Sequence, residues 1–245
     1  MTYNEYGIND NTGINEGIYQ HKDYEGKDFH KSRFQKQWAD DIGSEIKTII
    51  DIGAYEGGDT LRFNTWFPLA TTYSIEGSPN NFEILNHKLK SRENLKTFNY
   101  VMYDKVGEID FNRISEYGHV EENAQGQPTE MVMGTIYTFK EAKLQLHNMK
   151  SIDSVKVKSI TLDKFCEDNN ITEIDIIHAD IEGASYDMVR GMNKVLPKLI
   201  FLEQEANEVF TDKTHGGNFE LDKLLVSKGY ELLLNLGNDF LYKRT

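Results

Sequence analysis

Cysteine is almost missing from this chain of 245 residues: Cys166 stands alone. A single thiol cannot form an intrachain disulfide, so burial and hydrogen bonding must hold the fold, as suits a reducing cytoplasm. Cys166 lies at helical spacing from Leu162 in Leu-Asp-Lys-Phe-Cys-Glu-Asp, where it reads as a packed helix residue rather than a nucleophile. No cluster of Cys and His suggests structural zinc. Basic residues are outnumbered, 27 Lys and Arg against 40 Asp and Glu, for a net charge of −13. That field repels a phosphate backbone, and no Lys/Arg stripe overcomes it locally, so nucleic acid is not an expected partner. No apolar run approaches the ~18 residues of a membrane span. The opening Met-Thr-Tyr-Asn-Glu-Tyr also lacks the basic and apolar regions of a signal peptide, which gives a cytoplasmic expectation.

What is present is a globular composition, 38% hydrophobic and 11% aromatic, in a chain long enough for one large domain. Residues 1–27 have no clear period. Phe29, Phe34, Trp38 and Ile42 then recur at near-helical spacing, so 1–45 reads as an arm followed by a helix. From residue 46 onward strands and helices alternate. Strands are expected at 48–52, 71–76, 97–102, 154–160, 174–179 and 198–203, and helices at 59–66, 80–90, 162–169, 185–193 and 219–228. Strands 230–236 and 239–243 face each other across Gly237-Asn238, a hairpin signal. The expected fold is α/β, a doubly wound and mostly parallel sheet with a reversed C-terminal strand. Between a short strand at 108–111 and residue 153 the chain is polar and broken by Gly118, Gly126, Pro128 and Gly134. Residues 112–153 therefore read as an irregular insertion over the site, a substrate lid within the 46–245 domain.

The most informative stretch is Thr48-Ile-Ile-Asp-Ile-Gly-Ala-Tyr-Glu-Gly-Gly-Asp-Thr60, an apolar strand running into a glycine turn and a helix start. Glycines at 53, 57 and 58 allow the backbone to turn sharply and approach a ligand. Glu76 ends the next strand, 25 residues beyond Asp51, where a carboxylate suits a ribose diol. Together they point to an adenosine-containing cofactor rather than a purely structural turn.

Four segments in order, Asp-Ile-Gly-Ala-Tyr-Glu-Gly-Gly-Asp-Thr (51–60), Ile-Glu-Gly-Ser-Pro-Asn-Asn-Phe (75–82), Tyr-Asp-Lys-Val-Gly-Glu-Ile-Asp-Phe (103–111) and Asp-Ile-Glu-Gly-Ala (180–184), resemble the FkbM family of S-adenosylmethionine-dependent methyltransferases. The resemblance spans roughly 46–243 and implies a seven-stranded class I methyltransferase fold. It also implies O-methylation of a small molecule, often a sugar or glycan. Carried over by position, Asp51, Gly53, Ala54, Tyr55, Glu56 and Gly57 would border the methionine moiety, with Thr60 in the same motif. Glu76 would take the ribose hydroxyls, with Gly77 and Ser78 beside it, and Met102, Tyr103 and Asp104 the adenine. Family members commonly carry a lysine where His178 stands, so no catalytic lysine is carried over.

Methyl transfer to oxygen needs placement of the acceptor and a group to take its proton. Asp180, at the tip of the fourth core strand, is the leading catalytic candidate. His178 reads either as a strand-end histidine with one structural hydrogen bond or as a base, and His215 as a loop histidine or one that closes over substrate. Glu203 and Glu205, two apart on an extended segment, could converge with Asp180 on Mg2+, whose ligands are oxygens. Glu182 reads as a helix cap. Two other functions share parts of the pattern. An NAD-dependent oxidoreductase would use the same glycine turn and carboxylate, but the loop lacks the close-spaced glycines of the dinucleotide fingerprint. A non-catalytic cofactor-binding protein of glycan assembly would keep the fold alone. DNA adenine methylation is disfavoured, because none of the four prolines sits in an Asn/Asp-Pro-Pro-aromatic run.

Overall fold

The computed structural model describes residues 34–122, 128–146 and 149–245. The arm expected over the first residues lies outside them. Where a helix was expected up to residue 45, the described part is a 3₁₀-helix, Lys36–Ile42, ended by Gly43 in a left-handed conformation. It is held by its aromatics: Phe34 packs edge-on against Phe63, and Trp38 lies 5.3 Å from Phe201.

Alternation then proceeds much as the sequence predicts. Strand β1 (Thr48–Ile52) leads into helix α1 (Gly58–Trp66), β2 (Thr71–Glu76), α2 (Pro79–Leu89) and β3 (Leu95–Asn99). Helix α2 starts where Ser78 and Pro79 place it, the serine hydroxyl accepting from the Asn81 amide. The strand expected at 97–102 divides at Tyr100, because β3 stays in the main sheet while β4 (Val101–Met102) leaves for a second one.

The segment expected to be irregular is instead regular. Strands β5 (Gly107–Glu122), β6 (Pro128–Thr135) and β7 (Lys150–Ile160), with helix α3 (Glu141–Leu146), make a four-stranded sheet in the order β4-β7-β5-β6. Polar residues along β5 and β7 conceal the pattern, since they separate the side chains that pack, Ile109, Phe111, Ile114, Val155, Val157 and Ile160 among them. The chain closes with α4 (Leu162–Asn169), β8 (Ile176–Ala179), α5 (Ser185–Arg190), β9 (Leu199–Glu203), α6 (Asn218–Ser227), β10 (Tyr230–Asn235) and β11 (Asp239–Arg244).

The main sheet has seven strands in the order β10-β11-β9-β8-β1-β2-β3. Only β11 is reversed, pairing antiparallel with both β9 and β10. Ile50 and Ile52 of β1 face one core with Ile75, Phe165 and Leu202, while Ile49 faces the other with Trp38, Phe63 and Phe201. Each such side chain, fully buried, stabilises the fold by roughly 1.5–3 kcal/mol. Strand order reverses at β1, which lies between β2 and β8, so a crevice opens at their carboxyl ends. Among the described residues no helix is long and apolar enough to cross a membrane.

Candidate cofactor and active site

The glycine loop is pinned from both sides. The amides of Gly53 and Ala54 donate to the Ile75 carbonyl at 2.9 and 3.0 Å. Gly53 has φ 77°, and a Cβ there would lie 1.8 Å from the Asp180 carbonyl oxygen, so only glycine lets β1 and β8 end this close together. Glu76 closes the loop from β2, accepting from the amides of Tyr55 at 2.8 Å and Ser78 at 2.7 Å. Burial pushes its carboxyl up to about 7; the two amides oppose this, and the charges of Asp51 and Asp180 add to it.

Beneath the loop lies a polar network. The Thr60 hydroxyl donates to the fully buried Asp51 carboxylate and lies 2.9 Å from the Ser74 hydroxyl. His178 places Nδ1 2.8 Å from the other Asp51 oxygen, and its ring stacks on Phe201. Asp51 and Thr60 thus support the loop from below.

A cavity of about 300 Å³ opens above this network, within the size of small-ligand sites. Gly53, Ala54, Tyr55, Glu76, Gly77 and Met102 line it, and so do His178 and Asp180. Other expected residues stand outside the lining. Gly57 and Ser78 shape the starts of α1 and α2. Glu56 pairs with Lys88 on the surface at 2.6 Å. Tyr103 lies beyond the lining, and Asp104 pairs with Arg190 at 3.0 Å.

The acidic group also differs in membership. Oxygens of Asp180, Glu182 and Glu203 all lie within 4.8 Å of one another. Glu205 is not among them. Strand β9 stops at Glu203, so the two-residue periodicity that would align the glutamates ends there, and Glu205 turns to Lys143 at 3.0 Å. Glu182 takes its place through a left-handed backbone, φ 47°, that a helix-cap reading does not foresee. Burial first, then the charges of Asp180 and Glu182, pushes the Glu203 carboxyl far above the usual range.

His215 pairs with Asp187, Nε2 to Oδ1 at 3.1 Å, and lies outside the cavity lining. The same fully buried carboxylate accepts the Tyr137 hydroxyl. Nearby, the Lys213 amine donates to the Glu205 carbonyl at 3.2 Å and lies over the rings of Tyr137 and Phe210. Burial lowers its pKa to about 8. The Thr135 hydroxyl ties the second sheet to this region by donating to the Glu182 carbonyl at 2.7 Å.

Sequence reasoning missed several lining residues: Asn81, Tyr100, Val101, Phe111 and the run Met133 to Ile136. Val101 and Phe111 fell in expected strands, but nothing in the pattern said that those strands would reach the site.

Residues 51–232 match the family described as methyltransferase FkbM domain. The 2-O-methyltransferase NoeI of Sinorhizobium fredii is 25% identical over 161 residues, 65% of this chain and 63% of NoeI. The chain thus spans less than two thirds of that relative. Among solved structures, the Methanococcus jannaschii fibrillarin pre-rRNA processing protein aligns over 82% of this chain and 67% of its own, at 12% identity and TM-score 0.46. The precorrin-6y C5,15-methyltransferase of Geobacter metallireducens aligns over 90% and 93%, at 10% identity and TM-score 0.41. The family match covers most of the chain, which belongs to the FkbM methyltransferase family.

Proposed function

We propose that this FkbM-family chain binds S-adenosylmethionine at the carboxyl edge of β1, β2 and β8 and methylates a hydroxyl oxygen of a small molecule, with a sugar or glycan as the acceptor class. The observation that carries the reading is Glu76: a buried carboxylate held by two amides of the glycine loop, lining a small-ligand cavity beside Gly53 and Asp180. Its carboxylate oxygens are acceptors that fit a ribose diol, and the apolar Ile52 and Met102 fit the rest of a nucleoside. The bound cofactor supplies an electrophilic methyl group on sulfur.

The chain's residues do the remainder. Glu76 accepts from the ribose hydroxyls, and the turn Gly53 to Tyr55 borders the amino acid end. Asp180, with a carboxylate oxygen within 4.8 Å of one on Glu203, orients the acceptor hydroxyl and takes its proton. His178, fixed by Asp51 from beneath, and His215, on the loop tied to Asp187, are the secondary candidates. Met133 to Ile136 supply a wall, in keeping with a substrate role for residues 112–153. Asp180 and Glu203, with Glu182 in place of Glu205, would hold Mg2+ through their oxygens. The oxygen acceptor is supported by the likeness to NoeI, a 2-O-methyltransferase.

Calorimetric titration with S-adenosylmethionine, S-adenosylhomocysteine and NAD, with and without Mg2+, tests the reading. Saturable binding of the sulfur compounds alone supports it and leads to an acceptor screen on sugars, read by S-adenosylhomocysteine release. Binding of NAD alone overturns it in favour of an oxidoreductase. Binding without turnover on any acceptor favours a non-catalytic member.

A further inference from the structure

The turn between β8 and α5 carries a residue that its shape does not favour. The Ala184 amide donates to the Ile181 carbonyl at 3.1 Å, and the two residues between them have φ 47° at Glu182 and 90° at Gly183. Positive φ at both central positions is the type I′ pattern, in which Asn, Asp or Gly ordinarily comes first because other side chains crowd the backbone. Gly183 meets the demand, and a Cβ on it would lie 2.6 Å from the Phe210 ring. Glu182 does not. A larger residue held left-handed persists only where its surroundings over-determine it, and such residues gather at functional sites.

Those surroundings belong to the second sheet. Thr135, the last residue of β6, is 1% exposed, and its hydroxyl donates to the Glu182 carbonyl at 2.7 Å. The same oxygen accepts from the Tyr137 amide at 3.1 Å, which directs the hydroxyl proton to the Glu182 carbonyl. Phe139, two residues beyond Tyr137, stacks on Phe210 at 4.6 Å, so the ring over Gly183 is backed from the same segment. What the strained choice brings is a carboxylate. Glu182 lines the cavity beside Asp180, and its carboxylate lies within 4.8 Å of those of Asp180 and Glu203. Asparagine would suit the turn better and bring no charge to that wall.

Resting on the acceptor reading above, we propose that Thr135 is a positioning residue that acts through Glu182: its hydroxyl fixes the Glu182 carbonyl, holds the turn left-handed and so keeps the Glu182 carboxylate on the acceptor side of the cavity beside Asp180. The second sheet thereby sets the geometry of the acidic wall without placing a carboxylate of its own there.

Crystal structures of wild type, Thr135→Val, Thr135→Ser and the double variant Thr135→Val/Glu182→Asn test the placement with no acceptor needed. Thr135→Val keeps the volume and loses the hydroxyl, and is expected to let Glu182 leave the left-handed region and carry its carboxylate away from Asp180. Thr135→Ser is expected to keep both in place. Asparagine adopts positive φ readily, so the double variant is expected to keep the turn even without the hydroxyl. A Glu182 unmoved in Thr135→Val overturns the proposal. Should that variant fail to fold, Thr135→Ala is judged by the same criterion. Turnover on the sugar acceptor found by screening gives the functional half: Thr135→Val is expected to lower kcat/KM by about tenfold or more, with S-adenosylhomocysteine affinity within about twofold of wild type, and Thr135→Ser to restore it. An equal loss of S-adenosylhomocysteine affinity, or a loss that serine does not restore, makes Thr135 a structural residue only and overturns the proposal. If wild type binds no S-adenosylhomocysteine or turns over no acceptor, the methyltransferase reading falls and the acceptor role with it, while the crystal structures still decide whether the hydroxyl holds the turn.

Discussion

The imidazole of His178 and the carboxylate of Asp51 meet at 2.8 Å across neighbouring strands, joining residues 127 apart in the chain. Asp51 is fully buried and also accepts the Thr60 hydroxyl. Asp51→Ala takes the carboxylate from both donors, leaving the Thr60 hydroxyl only its contact with Ser74 and the His178 Nδ1 without its buried partner, and is expected to cost about 2–4 kcal/mol. Urea denaturation measures this, and cofactor affinity should fall with stability because Gly53 follows two residues on. A variant as stable as wild type would show that the pair does not support the loop.

Gly53→Ala is a harsher change at the same place. Its Cβ would strike the Asp180 carbonyl, and its φ of 77° is costly for alanine. A loss above about 3 kcal/mol, or failure to fold, is expected. Gly43 is the control: its φ is 68° but nothing lies within 4 Å, so Gly43→Ala should cost only about 1 kcal/mol.

Glu76 should report on pH in two opposite ways. Its folded pKa of about 7 exceeds the ordinary 4.5 of a glutamate, so the folded state binds the extra proton. Its contribution to stability is complete below about 4.5 and is lost as pH rises through about 7. Cofactor affinity should move the other way, since the ionised carboxylate is the better acceptor for ribose hydroxyls. S-adenosylhomocysteine titrations from pH 6 to 8 should strengthen in wild type and stay flat in Glu76→Gln; a flat wild-type profile would remove Glu76 from the ribose.

Lys213 is buried, and its pKa of about 8 lies below the usual 10.5, with Asp187, Glu205 and Glu208 partly opposing the effect of burial. Below pH 8 both folded and unfolded chains carry the charge, and the folded state bears the full cost of burying it. Between about 8 and 10.5 the unfolded chain holds more protons, so stability rises with pH. Lys213→Met should therefore melt higher than wild type at pH 7, by roughly 2–4 °C, with the gap closing towards pH 10. A lower midpoint at pH 7 would mean that the contacts with the Glu205 carbonyl and the two rings outweigh desolvation.

Asp180→Asn should separate binding from chemistry. Turnover is expected to fall by about 100-fold or more, with S-adenosylhomocysteine affinity within about twofold of wild type. Undiminished turnover removes Asp180 from catalysis. Chelation by EDTA then decides on Mg2+: an equal fall in wild-type turnover that added Mg2+ reverses is the outcome a metal requires.

Much of the main sheet is legible in sequence because its central strands are apolar on both faces and its punctuation is local. Thr48–Ile52, the Ser78-Pro79 entry to α2 and the Gly237-Asn238 hairpin each follow from a few adjacent residues. The second sheet is not legible that way. Its strands interleave polar residues with those that pack, and β5 finds one of its two partners by tertiary contact with β7, some 40 residues further along. The site divides on the same line. Gly53 and Glu76 are fixed by local motif, whereas Glu182, Glu205 and His215 depend on where a strand stops, on a left-handed residue and on a buried aspartate elsewhere in the fold.

The position of β1 at the centre of the sheet also orders events during synthesis. Ile50 pairs with Tyr73 on one side but with Ile177 on the other. While the intervening hundred or so residues are being made, one edge of this apolar strand has no partner, and the Asp51 carboxylate lacks the imidazole that later meets it. Such an edge invites pairing with other chains, and closure across so long a separation is slow. The nascent chain is therefore most exposed to misassembly after β3 and before β8, so chaperone demand and yield in expression should be governed by that interval, with the glycine loop acquiring its final shape only when β8 arrives.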